Sequence, residues 1–157
     1  MSRSIEEILS DVLIDEVRLS PPVIATAATT LEEAYGLLEQ SRHGAVVVCE
    51  EDRVCGIFTE RDVLYRTALE DLDPRTPLAD LMTRDPFTLR LDARVSEAVT
   101  AMTHRGYRHV PLVSRSGSCV GLLASRDVLR FIGDHFPEAV LNLPPRLHQQ
   151  ILRPEGG

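Results

Sequence analysis

The chain repeats one passage. Gly56-Ile57-Phe58-Thr59-Glu60-Arg61-Asp62-Val63-Leu64 returns 65 residues later as Gly121-Leu122-Leu123-Ala124-Ser125-Arg126-Asp127-Val128-Leu129. Each copy reads as an apolar strand turning into a helix, with an Arg-Asp pair in the helix's first turn. A repeat on this scale restricts the fold to two similar units that bury a shared face. The turn can offer backbone N–H groups, a guanidinium and a carboxylate to one small ligand. Its duplication predicts two pseudo-equivalent sites.

The flanking sequence repeats as well. Ser4-Ile5-Glu6-Glu7 fits a capping box opening a short amphipathic helix, and Pro21-Pro22-Val23-Ile24 reads as a turn into a short strand. Thr30-Leu31-Glu32-Glu33 is a second capping box, with Gly44 placed to stop its helix. Residues 45–49 form a buried-type strand, Glu50-Glu51-Asp52 a polar hairpin turn, and residues 53–58 the return strand. Thr59 caps a helix expected to reach about Glu70. In the second half Thr76-Pro77 opens a short helix, residues 86–89 match 22–25 at an offset of 64, and residues 110–113 match 45–48 at 65. That change of offset places a one-residue gain near Gly106, and Gly133 is expected to end the last helix. Each unit is strand, helix, strand, strand, helix. One such three-stranded unit is marginal alone, so two are expected to pack with pseudo-twofold symmetry, the ligand sites near the seam. By sequence the chain divides into an N-terminal helix and linker (1–19), repeat one (20–72), repeat two with its leading helix (73–136) and a tail (137–157).

Composition narrows the chemistry. A chain of 157 residues buries roughly 70% of its unfolded surface and needs no metal or disulfide staple. The net charge of −7 argues against a general nucleic-acid binder. All 17 basic residues are arginine, which excludes lysine Schiff-base chemistry and the lysine-dependent phosphate loop while leaving a side chain suited to phosphate. Cys49, Cys55 and Cys119 are odd in number and lack Cys-x-x-Cys spacing, which fits reduced, buried, inert thiols in a cytoplasmic protein. No apolar run approaches a membrane span, and the acidic, interrupted N-terminus does not read as a signal peptide. The five histidines show no metal-site spacing, and no Ser-His-Asp arrangement recommends an enzyme.

These residues resemble a tandem pair of cystathionine-β-synthase (CBS) domains, the arrangement called a Bateman module. The resemblance rests on Gly56-Ile57-Phe58-Thr59-Glu60-Arg61-Asp62 and its copy, on Met82-Thr83-Arg84-Asp85-Pro86, and on Arg108-His109-Val110-Pro111-Leu112-Val113. It runs from about residue 20 to residue 133 and implies an α+β fold of two β-α-β-β-α repeats. It further implies a non-catalytic regulatory role, an adenosine ligand (AMP, ADP, ATP or S-adenosylmethionine) and frequent homodimerisation.

The residues themselves suit that ligand class. Gly56 and Gly121 permit close approach of a ligand or a second backbone. At site one, Thr59 can cap the helix or meet a phosphate oxygen, Arg61 can bind phosphate, and Asp62 can accept from both hydroxyls of a ribose diol. Val23, Ile24, Ala45 and Val46 are its candidates for an apolar adenine slot. At site two, Phe87, Thr88, Val110 and Pro111 take those positions, beside Arg108, His109, Ser125, Arg126 and Asp127. Arg42-His43 could reach phosphates in the cleft, as could Arg108-His109. Ala124 stands where Thr59 stands and lacks its hydroxyl, so unequal sites are expected, the first better for phosphate. Each residue also has a plainer reading. Asp62 and Asp127 can be dipole-favoured first-turn carboxylates, Arg61 and Arg126 solvated partners of nearby acids, and Val46 and Pro111 core.

The expectation is a cytoplasmic energy or metabolite sensor with no obligatory cofactor and no metal. It binds an adenine nucleotide, not nucleic acid or membrane, forms a homodimer through its helices, and signals to an unidentified regulated protein. The alternatives are a ligand-independent dimerisation scaffold with vestigial sites and an S-adenosylmethionine sensor.

Overall fold

The computed structural model describes residues 3–67 and 69–137. Of the tail expected at 137–157, all but residue 137 lies outside these residues. The elements are α1 (Ile5–Asp11), a 3₁₀ turn (Ile14–Glu16), β1 (Ile24–Ala25), α2 (Leu31–Gln40), β2 (Ala45–Glu50), β3 (Arg53–Thr59) and α3 (Glu60–Asp62). A π-turn (Val63–Thr67), α4 (Leu78–Leu81), β4 (Thr83–Arg84), β5 (Leu89–Arg90), α5 (Val95–Arg105), β6 (His109–Val113), β7 (Cys119–Ala124) and α6 (Ser125–His135) complete it. The strands form two sheets, β1-β2-β3-β4 and β5-β6-β7, with a parallel first pair and antiparallel pairs after it in each.

Local chemistry sets most of these boundaries. Both expected capping boxes form: Ser4 Oγ accepts from the Glu7 amide at 3.2 Å, and Thr30 Oγ1 from the Glu33 amide at 3.3 Å. Their glutamates return the bond to the capping residue's own N–H at 3.1 and 2.9 Å. Glu51 and Asp52 both take positive φ (49° and 65°), as a tight two-residue hairpin turn requires. Helix α2 ends at Gln40, and Gly44 (φ 63°) instead makes the turn into β2. Helix α6 runs through Gly133 to His135, because the apolar stripe of Val128, Phe131 and Ile132 stays packed on the core and outweighs one glycine.

The two sheets meet face to face. In β2, Val46 and Val48 point into the first unit's helix-side core with Phe58, Leu31 and Leu38. Ala45, Val47 and Cys49 point the other way, into a seam closed by Ile57 and Leu122. Both faces of β2 are therefore dry, which is why it reads as a continuous apolar run. At the seam, burial pushes the Cys49 thiol up to about 12, and the neighbouring Cys119 thiol adds to the shift. This is a packing thiol rather than a nucleophile.

The pseudo-twofold relation is visible bond by bond. Leu31 N–H donates to Thr76 O at 2.8 Å and Val95 N–H to Val12 O at 2.9 Å. Leu78 N–H donates to Thr29 O at 2.8 Å and Ile14 N–H to Ala93 O at 2.9 Å. By chain order the segment at Leu78 leads the second repeat and the segment at Ile14 the first, and these bonds carry each across to the other unit. Leu78, Leu81 and Met82 are buried in the first unit's core, while Leu9, Ile14 and Val17 are buried in the second unit's. Each unit is closed by the segment that precedes the other.

The strand register also moves the inserted residue. Val48 faces Gly56 and Leu112 faces Gly121, so Val48 corresponds to Leu112 at an offset of 64. The extra residue sits in the second hairpin, where residues 114–118 replace 50–53, and not near Gly106. The repeated glycines serve packing rather than a ligand: a Cβ on Gly56 would lie 2.3 Å from Met82 Sδ, and one on Gly121 3.3 Å from Leu112 Cδ1.

Candidate functional site: a cleft between the units

Strand β3 delivers Thr59 to the start of α3. There Thr59 Oγ1 accepts from the Asp62 amide at 3.3 Å, and Asp62 Oδ2 accepts from Thr59 N–H at 2.8 Å and from its hydroxyl at 3.1 Å. The capping role of Thr59 is thus occupied, and the Asp62 carboxylate keeps lone pairs for another donor. Arg66 lies 3.7 Å from Asp62 Oδ1. Beyond Asp62 the helix widens into the π-turn and ends at Thr67, short of the expected Glu70. The aligned dipole behind Thr59 is therefore that of about two turns, and binding of an anion depends chiefly on side chains.

A cleft of about 460 Å³ opens at this point between the units. Thr59, Glu60, Arg61 and Asp62 form one wall. The segment that leaves β4, Arg84 to Phe87, crosses its floor, with Asp85 at φ 45° and its amide on Cys55 O at 3.0 Å. Tyr107, Arg108, His109, Ser125 and Arg126 line it from the second unit. Arg61, Arg84, Arg108 and Arg126 stand against Glu60, Asp62 and Asp85, so a strongly acidic chain presents a local excess of guanidinium here. Phe87 and Tyr107 stack with centroids 6.1 Å apart and planes 16° apart, and the Arg105 guanidinium lies 5.6 Å over Phe87. The cleft thus joins an aromatic step, cations and a partly free carboxylate, a set able to hold a base, a phosphate and a diol.

The structure draws residues expected at two sites into this one cleft. Thr59, Arg61 and Asp62 line it with Phe87, Arg108, His109, Ser125 and Arg126. Val23, Ile24, Ala45, Val46, Thr88, Val110, Pro111 and Asp127 do not. Ala45 and Val46 are fully buried in the seam and first core, Val110 is fully buried, and Pro111 is buried in β6. Val23 packs against the first core, Ile24 is 48% exposed away from the cleft, and Thr88 lies on a separate shallow groove. The sequence reading missed Tyr107, Glu60, Arg84 and Asp85. Tyr107 carried a usable signal, a lone aromatic directly after Gly106, whose φ of 71° ends α5.

The second copy of the turn is built differently. Ala124 has no hydroxyl, and its N–H donates to Asp127 Oδ2 at 2.8 Å. The Asp127 side chain is wholly buried, with His43 Nε2 3.5 Å from Oδ2 and Arg130 3.8 Å from Oδ1. Among the described residues, neither ring nitrogen of His43 nor Asp127 Oδ1 makes a hydrogen bond.

His109 Nε2 lies 2.6 Å from His43 O; a carbonyl only accepts, so Nε2 carries the proton. Burial holds the His109 pKa below its ordinary value, and the charges of His43, Arg108 and Arg126 push the same way against that hydrogen bond. Below the ordinary histidine value the unfolded chain takes a proton that the folded chain refuses, so stability falls as pH falls. Urea unfolding from about pH 7 to about pH 5 should show this loss, and His109→Gln, which can still donate to His43 O, should flatten it. An equal slope in both proteins would assign the pH dependence elsewhere.

Comparison with known proteins places this geometry in a family. The family model described as "CBS domain" matches twice, at residues 14–68 and 78–134. An uncharacterised 17.7 kDa protein of Acidianus ambivalens is 31% identical over 112 residues, covering 71% of this chain and 67% of that protein. An uncharacterised protein of Methanopyrus kandleri is 33% identical over 103 residues, covering 65% of this chain but only 53% of its own length. A CBS domain protein from Pyrobaculum aerophilum, solved with AMP, superposes with a TM-score of 0.70 at 28% identity, covering 83% of this chain and 95% of that one. The CBS domain pair of protein MJ0100, in complex with 5′-methylthioadenosine and S-adenosyl-L-methionine, does so at 0.70 and 25% identity, covering 78% of this chain and all (100%) of that one.

Proposed function

This chain belongs to the CBS domain family, and we propose that it is a non-catalytic regulatory module that senses an adenine nucleotide, AMP, ADP or ATP, in the cleft between its repeats. The observation that carries this reading is the convergence on one cleft of a ribose-suited carboxylate, Asp62, four arginines and the Phe87–Tyr107 step. The AMP complex of the P. aerophilum relative supports the ligand class. In the proposed pose Asp62 receives the ribose diol, the base lies against Phe87 and Tyr107, and Arg61, Arg108 and Arg126 face phosphate. Both repeats contribute, so the ligand bridges them and favours the packing in which these groups converge. S-Adenosylmethionine is the second ligand reading, supported by the MJ0100 complex. Its sulfonium carries no phosphate, which makes poor use of the arginines. The protein acts in the cytoplasm in this reading, and its response is read by a second copy or a regulated protein; among the described residues no helix is long and apolar enough to cross a membrane.

The test is calorimetric titration of nucleotide-stripped protein with AMP, ADP, ATP and S-adenosylmethionine. The reading expects micromolar binding of at least one phosphate-bearing ligand, tighter than S-adenosylmethionine. Absence of heat for all four would leave a ligand-independent scaffold as the better account.

A homodimer through the helices belongs to the same proposal. Leu64 and Leu129 occupy matching places in the two units and are 66% and 69% exposed, with Tyr65 beside the first at 71%. Two related apolar faces suit a symmetric partner, a second copy of this chain. Leu64→Arg combined with Leu129→Arg should convert a dimer to a monomer by light scattering while the circular dichroism spectrum remains that of the folded chain. A wild-type chain already monomeric at tens of micromolar would remove this part of the proposal.

A further inference from the structure

The two copies of the repeated turn differ in what stands over their carboxylates. The register and a pair of matching bonds define the correspondence. Glu60 N–H donates to Gly44 O at 3.0 Å, and Ser125 N–H donates to Arg108 O at 2.9 Å. Gly44 therefore corresponds to Arg108, and His43 to Tyr107. In the first copy Tyr107 stands aside, stacked on Phe87, and Asp62 faces the open cleft. In the second copy His43 does not stand aside. Its side chain is 3% exposed, and Nε2 lies 3.5 Å from Oδ2 of Asp127, whose own side chain is 0% exposed.

The loop that carries His43 is fastened from the second unit. Arg126 Nη1 donates to Arg42 O at 3.0 Å, and His109 Nε2 donates to His43 O at 2.6 Å. The His43 amide is also held, by Ser41 Oγ at 3.3 Å. Arg61, the counterpart of Arg126, is exposed on the cleft wall and makes no such bond among the described residues. Both ring nitrogens of His43 and one oxygen of Asp127 are buried without hydrogen bonds, although buried polar groups are normally satisfied. A side chain packed for stability alone would be better served by an apolar residue at 43.

Building on the nucleotide reading, we infer that His43 is the built-in occupant of the second copy of the site. Its imidazole covers Asp127, the carboxylate that would otherwise face a ligand hydroxyl pair. The chain therefore takes one nucleotide, at Asp62, and carries over Asp127 a latent cavity of imidazole size. The asymmetry originates in two substitutions within the repeat, histidine for tyrosine before the central hairpin and alanine for threonine at the cap.

Two arms test this, one of them independent of nucleotide. In the first, free imidazole is titrated against His43→Ala while the melting temperature is followed. The inference expects imidazole at about tenfold its dissociation constant to raise the melting temperature by roughly 3 °C. It expects no such rise in wild type or in His43→Ala/Asp127→Ala. No imidazole-dependent rise in a folded His43→Ala protein would overturn the inference. In the second, calorimetric stoichiometry with AMP is measured for wild type, Asp62→Ala and Asp127→Asn. One site per chain, weakened by Asp62→Ala and unmoved by Asp127→Asn, supports the inference. Two sites in wild type, one of them removed by Asp127→Asn, contradict it. If His43→Ala does not fold, the wild-type stoichiometry decides. If wild type binds no nucleotide, the sensing proposal fails, and the imidazole arm alone judges the role of His43.

Discussion

Phe58→Ala is expected to destabilise the protein by about 3–5 kcal/mol, the cost of emptying an aromatic site inside a closed core. Phe58 is fully buried one residue before the end of β3, opposite Val46, and shares its core with Leu31, Leu38, Leu78 and Met82. Two costs combine: the lost transfer free energy of the ring and the cavity that remains, because strands on both sides limit collapse. Native stability is only about 5–15 kcal/mol, so the loss is a large part of the whole. The melting temperature should fall by roughly 6–20 °C, and urea unfolding should show an earlier midpoint with the slope retained. A loss under about 1 kcal/mol would mean that the core around β3 is looser than the burial of Phe58 indicates. The effect should reach the cleft as well. Leu78, Leu81 and Met82 pack in this core, and the chain leaves them directly for β4 and the cleft floor at Arg84 and Phe87.

The second large effect concerns the ligand. Asp62→Ala should weaken nucleotide binding by about 10- to 100-fold, the worth of a charge-assisted hydrogen bond with its partner left unpaired. The same substitution removes the reciprocal bonds between Asp62 and Thr59 and should cost about 1 kcal/mol of stability as a lost cap. Asp62→Asn separates the two roles. An amide oxygen still accepts from Thr59 N–H, so stability should be nearly retained, while the loss of charge should still weaken the ribose bonds. Equal binding by wild type and both variants, with all three folded, would remove Asp62 from the site and shift attention to the arginines.

What the sequence disclosed divides along the range of the interactions. The capping boxes at Ser4 and Thr30 and the cap at Thr59 are legible because donor and acceptor lie three residues apart and need no tertiary partner. The two-unit architecture is legible because the repeat carries its own strand and helix pattern. The pairing of the units is not. Which core receives Leu78 or Ile14 depends on the crossed connections, and both segments show the same apolar spacing. Sequence alone puts the one-residue shift between repeats near Gly106 because residues 110–113 match 45–48 at an offset of 65, whereas the hydrogen-bond register puts it in the hairpin of residues 114–118. At the site, Thr59, Arg61 and Asp62 are marked by motif, and Phe87 by its place in a leading strand. Val46 and Val110 stand as adenine candidates because β-strand sequence does not say which face meets the cleft; both are fully buried. Asp127 repeats the Arg-Asp pair of the motif, yet its surroundings are set by His43, 84 positions away in the chain.

The central claim is that one nucleotide sits between the repeats against Asp62. The most direct measurement is the amide NMR spectrum of isotope-labelled, nucleotide-stripped protein titrated with AMP. The account predicts saturable shifts at Gly44, Glu60, Arg61, Asp62, Tyr107 and Ser125, from both units at one common dissociation constant. It predicts little change along the separate groove formed by Arg90, Asp92 and Arg115. Shifts centred on that groove, or a spectrum unmoved by millimolar AMP, would contradict it.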